Sequence, residues 1–294
     1  TSTRASTDSR DETSTAVVVT SLANAAADDE DVRLAELRVE RDVVARAVPQ
    51  VARVRQQVVH LVGHVRGDAE PLPEDPRLLE GWALFHSGEF QKAMETGLQL
   101  GLSGLTLAHK SACIYATYLE KKERARLELY QDVVQRAEAH AAQDPDNPNA
   151  HYWHAYALGR YSQGISVAKA LAQGLGSKVK ESLEKAIQLQ PRHADAHIAL
   201  AAFHAEVIDK VGSLIGGMTY GAKKDVGLKL FQDGLKLNPG SPIAMVEYAN
   251  GLVMLEGDRK MKEATRLYEQ AAACKPMDAA ERLDVELAKA QLAD

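Results

Sequence analysis

The chain has 294 residues, is 45% hydrophobic but only 5% aromatic, and carries a formal charge of −6. That length accommodates one large or two small domains, and a composition rich in Ala, Leu and Val suits close-packed helices. The negative balance argues against nucleic acid as a partner, two cysteines (Cys113 and Cys274) make no disulfide framework and leave a reducing compartment as the default, and no run reaches the roughly 18 apolar residues of a membrane span.

Residues 1–30 are rich in Ser, Thr and Asp, with few large apolar side chains outside Val17–Val19. Such a segment buries too little surface to offset its ordering entropy, so it is expected to be a disordered arm or one ordered by a partner. Residues 31–66 change character. Val44, Ala47, Val51, Val54, Val58, Leu61 and Val65 recur at alternating three- and four-residue steps, which is a heptad seam. Pro49 interrupts it, so the span is expected to be a kinked amphipathic helix or a short coiled coil. Residues 67–76 (GDAEPLPEDP) form a Pro-rich linker in which a helix cannot continue.

From residue 77 to residue 280 the chain repeats a pattern of helix, tip, helix and Pro-marked turn. Residues 77–143 hold one and a half to two degenerate copies; Gly88-Glu89-Phe90-Gln91-Lys92-Ala93 has the turn and second-helix start of such a unit, and a break is expected near Glu120–Arg124. The clear copies follow. Pro145, Pro191, Pro239 and Pro276 are 46, 48 and 37 residues apart, at or above the ~34 residues of a tetratricopeptide unit. Small residues stand where the paired helices must cross closely: Ala155, Ala201 and Ala249. The slot that usually holds Trp carries His151, His197 and Met245. Units of this kind cannot bury their apolar faces alone and therefore stack. The predicted fold is all-α, a tetratricopeptide-like right-handed solenoid with an N-terminal helical extension, and residues 281–294 are expected to form a polar-faced capping helix.

The first two clear units exceed ~34 residues, and the surplus falls at the tip of each hairpin. These tips run Gly164–Gly176 and Val211–Gly221, and both are apolar and glycine-rich. Neighbouring tips in a solenoid lie side by side, so the two are expected to make one lip. The candidate partner- or ligand-binding residues are Leu171, Leu175, Leu214, Ile215, Met218 and Tyr220, with Lys178, Lys180, Lys223 and Lys224 beside them. Their apolar content exceeds what a solvated loop needs. The lysines belong to a stretch, 168–240, with ten basic residues against seven acidic ones, a balance that gives a shallow attraction for an acidic partner.

Tyr152-Trp153-His154-Ala155-Tyr156-Ala157-Leu158-Gly159-Arg160-Tyr161, the extended tip after it, and Val179 to Leu189 together resemble the regulator of microtubule dynamics family. So does the next unit, from Val207-Ile208-Asp209-Lys210 through Gly221-Ala222-Lys223-Lys224 to Pro239. The resemblance covers Asn149–Ala273, and residues 1–110 contribute nothing to it. It implies a non-enzymatic helical protein that associates with microtubules or other proteins, some members also binding lipid inside the solenoid.

Other chemistry is weakly signalled. His60/His64 and His193/His197 have the four-residue spacing of a helical metal pair, but no Cys, Asp or Glu completes either set; no metal or cofactor is expected. Gly216–Lys224 fails the phosphate-loop pattern, because Ala222 stands where the Lys must be. No Gly-x-Ser-x-Gly, HExxH or paired CxxC occurs, and no catalytic residues are assigned. Glu206 and Asp209 read as a solvated face. The sequence thus points to a non-enzymatic scaffold for protein–protein interaction. Its expected partners are tubulin or microtubule-associated proteins in a cytoplasmic, cytoskeletal setting. The alternative is a carrier of a hydrophobic small molecule or lipid.

Overall fold

The structure, a computed structural model, describes residues 73–293. The expected arm at 1–30, the helix or coiled coil at 31–66 and the linker up to residue 72 lie outside the described residues. Within them the secondary structure is entirely helical. The α-helices are α1 (Pro76–Ser87), α2 (Phe90–Gln99), α3 (Leu105–Tyr118), α4 (Glu123–Gln143), α5 (Pro148–Gln163), α6 (Val167–Ala172), α7 (Leu175–Leu189), α8 (Ala194–Val211), α9 (Ser213–Tyr220), α10 (Lys224–Leu237), α11 (Pro242–Glu256), α12 (Met261–Ala273) and α13 (Ala279–Ala293).

The helix starts follow from local chemistry. Pro76, Pro148 and Pro242 open α1, α5 and α11, where a missing N–H costs nothing. The residue before each is a side-chain cap: Asp75, Asn147 and Ser241 accept from backbone amides of the first turn. α8 uses an imidazole instead. His193 Nδ1 accepts from the Ala196 N–H at 3.2 Å while Nε2 donates to Asn149 Oδ1 at 3.1 Å, which fixes the neutral tautomer and ties one unit to the one before. This is a structural role for half of the suspected metal pair. The other half, His197, donates from Nε2 to the Pro191 carbonyl at 2.9 Å, and His151 does the same to Pro145 at 3.0 Å. The His in the Trp slot therefore clasps the preceding Pro turn twice. No group of three metal-ligating side chains occurs among the described residues.

Successive helices of the stack pack on one another, and the first helices of neighbouring hairpins also meet, α1 on α3, α3 on α5 and α8 on α11. The hairpins are α1/α2, α3/α4, α5/α7, α8/α10 and α11/α12, with α6 and α9 as the tips of the third and fourth. The break expected near Glu120–Arg124 falls between α3 and α4. Ala155, Ala201 and Ala249 are fully buried at the crossings, as the close approach of paired helices requires. Trp82, Phe85 and Phe90 build an N-terminal cluster; Tyr130, Trp153, Leu158 and Leu183 sit in the central one; Phe231, Val246 and Leu252 sit in the C-terminal one.

The last helix does more than cover the end of the stack. α13 packs on α11 and α12 and also on α1. Its first turn (Ala279, Ala280, Leu283) joins the N-terminal cluster, while Leu287 and Ala288 join the C-terminal one. His86 Nδ1 donates to Asp278 Oδ2 at 2.8 Å just before it. α13 is thus a strut between the first hairpin and the last.

Candidate binding groove

The first helices of successive hairpins line a concave face. A four-residue stride along α5 puts Tyr152, Tyr156 and Arg160 on one stripe; Ile114 and Tyr118 of α3, Ile198, Ala202 and Glu206 of α8, and Ile243 and Glu247 of α11 face the same space. Together with Asp284 of α13 and the undersides of both tips they enclose a groove with a cavity of ≈ 340 Å³. That volume falls in the range of small-ligand pockets.

The polar groups inside are arranged in pairs. Arg160 donates to Glu247 at 3.1 Å and lies 5.3 Å from the centre of the Tyr156 ring. Tyr156 first, and Glu247 after it, hold this guanidinium firmly charged. Glu206 accepts from Gln163 Nε2 at 2.6 Å and lies 3.5 Å from Lys210. Burial pushes the Glu206 carboxyl up, so it is not the solvated group that its sequence context suggested. Tyr118 donates to Asp284 Oδ1 at 2.5 Å. Burial foremost, then the neighbouring acids Asp278, Glu281 and Asp195, push the Asp284 carboxyl up to about 7 against the pull of the Tyr118 hydrogen bond. Burial also raises the Tyr118, Tyr152 and Tyr156 phenols, which therefore stay protonated hydroxyls. Cys113 is buried in the central cluster and its thiol is pushed up by burial, as befits a small core residue.

The residues expected at the lip divide into three sets. Leu214, Ile215 and Met218 on α9 stand 77%, 58% and 82% exposed, and Leu171 on α6 is exposed at the mouth of the groove. Leu175 instead is buried in the central cluster beneath the tip. Tyr220 is half-buried and joins the two tips. It meets the Phe203 ring edge-on, and it covers Gly176 so closely that a Cβ there would lie 2.8 Å from the ring, a contact open to glycine alone. Of the lysines, Lys178 and Lys223 are exposed, whereas Lys180 pairs with Glu184 at 2.7 Å and Lys224 with Glu256 at 2.9 Å. The tip ends in a reversal at Gly221 (φ 64°), after which the Lys223 N–H donates to His204 Nδ1 at 3.1 Å. Gly221 thus serves chain reversal, and Gly216 lets α9 approach Val207 of α8, where a Cβ would lie 2.9 Å from the valine methyl. Sequence reasoning missed the interior: Arg160, Glu247, Tyr118 and Asp284. The Tyr152, Tyr156 and Arg160 stride was the one signal that could have found part of it.

The family model described as Regulator of microtubule dynamics protein 1-3 matches residues 91–212. The match begins in α2 and ends before α9. It therefore takes in residues 91–148, which the resemblance read from sequence leaves out, 91–110 among them, and stops short of residues 213–273, which that resemblance includes. No curated protein matches the chain. Among solved structures, a thermophilic TPR protein of Thermus thermophilus is similar over 73% of this chain and 97% of its own, at 16% identity and a TM-score of 0.52. A human IFIT1 dimer with PPP-AAAA is similar over 81% of this chain and 58% of its own, at 18% identity and a TM-score of 0.39. No helix among the described residues is long and apolar enough to cross a membrane. The chain is an all-α, tetratricopeptide-like helical-repeat protein that resembles the regulator of microtubule dynamics family.

Proposed function

We propose that the chain is a non-enzymatic scaffold that holds a partner protein against the lip formed by its two enlarged tips, and that this partner is the microtubule lattice or a protein associated with it. The observation that carries the reading is the apolar ridge of α9, where Leu214, Ile215 and Met218 project into solvent together on a single short helix. Exposed clusters of this kind mark interaction surfaces. The family resemblance supports the choice of partner, and implies a cytoplasmic, cytoskeletal location. Lys178 and Lys223 would add attraction for an acidic surface, but Lys180 and Lys224, already in ion pairs, would add little. Co-sedimentation with polymerised tubulin tests this. Wild type should pellet, and the triple change Leu214→Ser, Ile215→Ser, Met218→Ser should stay in the supernatant with its helical content unchanged. Equal behaviour of the two proteins contradicts the reading.

A second reading is favoured by the cavity of ≈ 340 Å³ between the tips and the first helices. It would accommodate a hydrophobic small molecule or lipid tail. Native mass spectrometry of gently purified protein should then show a co-purifying mass, and a clean apo spectrum counts against it.

A further inference from the structure

One buried acid of the groove has no cation beside it among the described residues. Arg160 is taken by Glu247 and Lys210 lies beside Glu206. Asp284 is 7% exposed, and among the described residues no cation stands within ion-pair distance of it. Its Oδ1 accepts from Tyr118, and Oδ2 takes no hydrogen bond among the described residues. Glu281 precedes it on α13 and Asp195 faces it from α8, while Asp278 is already held by His86 at 2.8 Å. A lone carboxyl at low exposure is costly unless something of opposite charge joins it.

The walls beside it suit a cation. Tyr118, Tyr152, Trp153 and Tyr156 all line the cavity, and aromatic faces attract ammonium groups. One of them already does so within the protein, as Arg160 lies over Tyr156. Trp153, 4% exposed, adds the apolar part of its ring to the same wall.

We propose that the floor of the groove, where Asp284 meets Tyr118 and the aromatic wall of α5, binds a primary ammonium carried on an apolar stem. The stem lies along Ile198, Ala202 and Val207 beneath the tips. The ammonium sits against Asp284. This rests on the second reading above, that the groove takes a ligand, and it names the chemistry. Two sources share that chemistry: an alkylamine, and the side chain of a lysine in a peptide.

Titration calorimetry with octylammonium, octanol and octanoate, and with the peptide acetyl-Leu-Lys-Leu-amide, separates the cases. Octylammonium should bind at least tenfold more tightly than octanol, and octanoate should bind least. Asp284→Asn should erase the preference of octylammonium over octanol while leaving octanol binding unchanged. Tighter binding of the peptide than of octylammonium assigns the lysine source; the reverse order assigns the alkylamine. Octanol or octanoate binding as well as octylammonium overturns the proposal but leaves a ligand-binding groove intact. If none of the four probes binds, both fall.

Discussion

Replacing Asp284 with Asn isolates the cost of the groove's buried carboxyl. Asn keeps the shape and can still accept from Tyr118, but it cannot ionise. In the folded protein the Asp284 carboxyl titrates near 7, against 3.8 for the ordinary group. A raised acid favours folding when protonated. The wild-type fold is therefore unaffected below about pH 4, loses stability as pH rises from about 4 to about 7, and bears the full cost above that. The gap converts to about 4 kcal/mol at 1.36 kcal/mol for each tenfold step. The amide bears no such cost, so Asp284→Asn should match wild type at pH 4 and exceed it by up to about 4 kcal/mol at pH 8. At roughly 2–4 °C per kcal/mol for a domain of this size, the melting temperature rises by about 8–16 °C at pH 8. Thermal melts followed by circular dichroism at pH 4, 6 and 8 measure it. The difference between the two proteins removes the titration of every other group. Parallel profiles, or a variant less stable at pH 8, would refute the reasoning that this carboxyl is buried and uncompensated.

Further predictions bear on the stack and its interior. Gly251→Ala should destabilise by about 1–3 kcal/mol, because its Cβ would fall 2.2 Å from the buried Phe231 ring and a packed core resists added volume; chemical denaturation measures this, and Phe231→Leu in the same chain should recover part of the loss. His197→Met should cost no more than about 1 kcal/mol by the same measurement, since it forfeits one hydrogen bond to the Pro191 carbonyl and places the residue that the next unit already uses at Met245. Under native conditions one thiol, Cys274, should react with a disulfide reagent in minutes while the buried Cys113 waits for unfolding; fast reaction of both would contradict the packing of α3.

The modular half of this fold is readable from sequence because its causes are local. The Pro turns, the Ala residues at the helix crossings and the long tips are each specified within a few residues, and each recurs. The tips show where local reading stops. Leu171 and Leu175 are both leucines in one apolar, glycine-rich stretch, yet α6 leaves Leu171 exposed whereas the first turn of α7 points Leu175 into the central cluster. The groove was harder still. Arg160 finds Glu247 from 87 positions away, and Tyr118 finds Asp284 from 166. α13 looks polar-faced in sequence, and Asp284 looks like part of that face. It is buried because the strut returns to α1 at the far end of the stack, a contact with no local signature.

Hydrogen exchange mapped by mass spectrometry, on the chain alone and on the chain with polymerised tubulin, tests the scaffold reading most directly. The account predicts slowed exchange concentrated in α6, α9 and the turns joining them to α7 and α10, with α2 and α4 unaffected. Protection confined to the second helices, or no change anywhere at saturating tubulin, would contradict it.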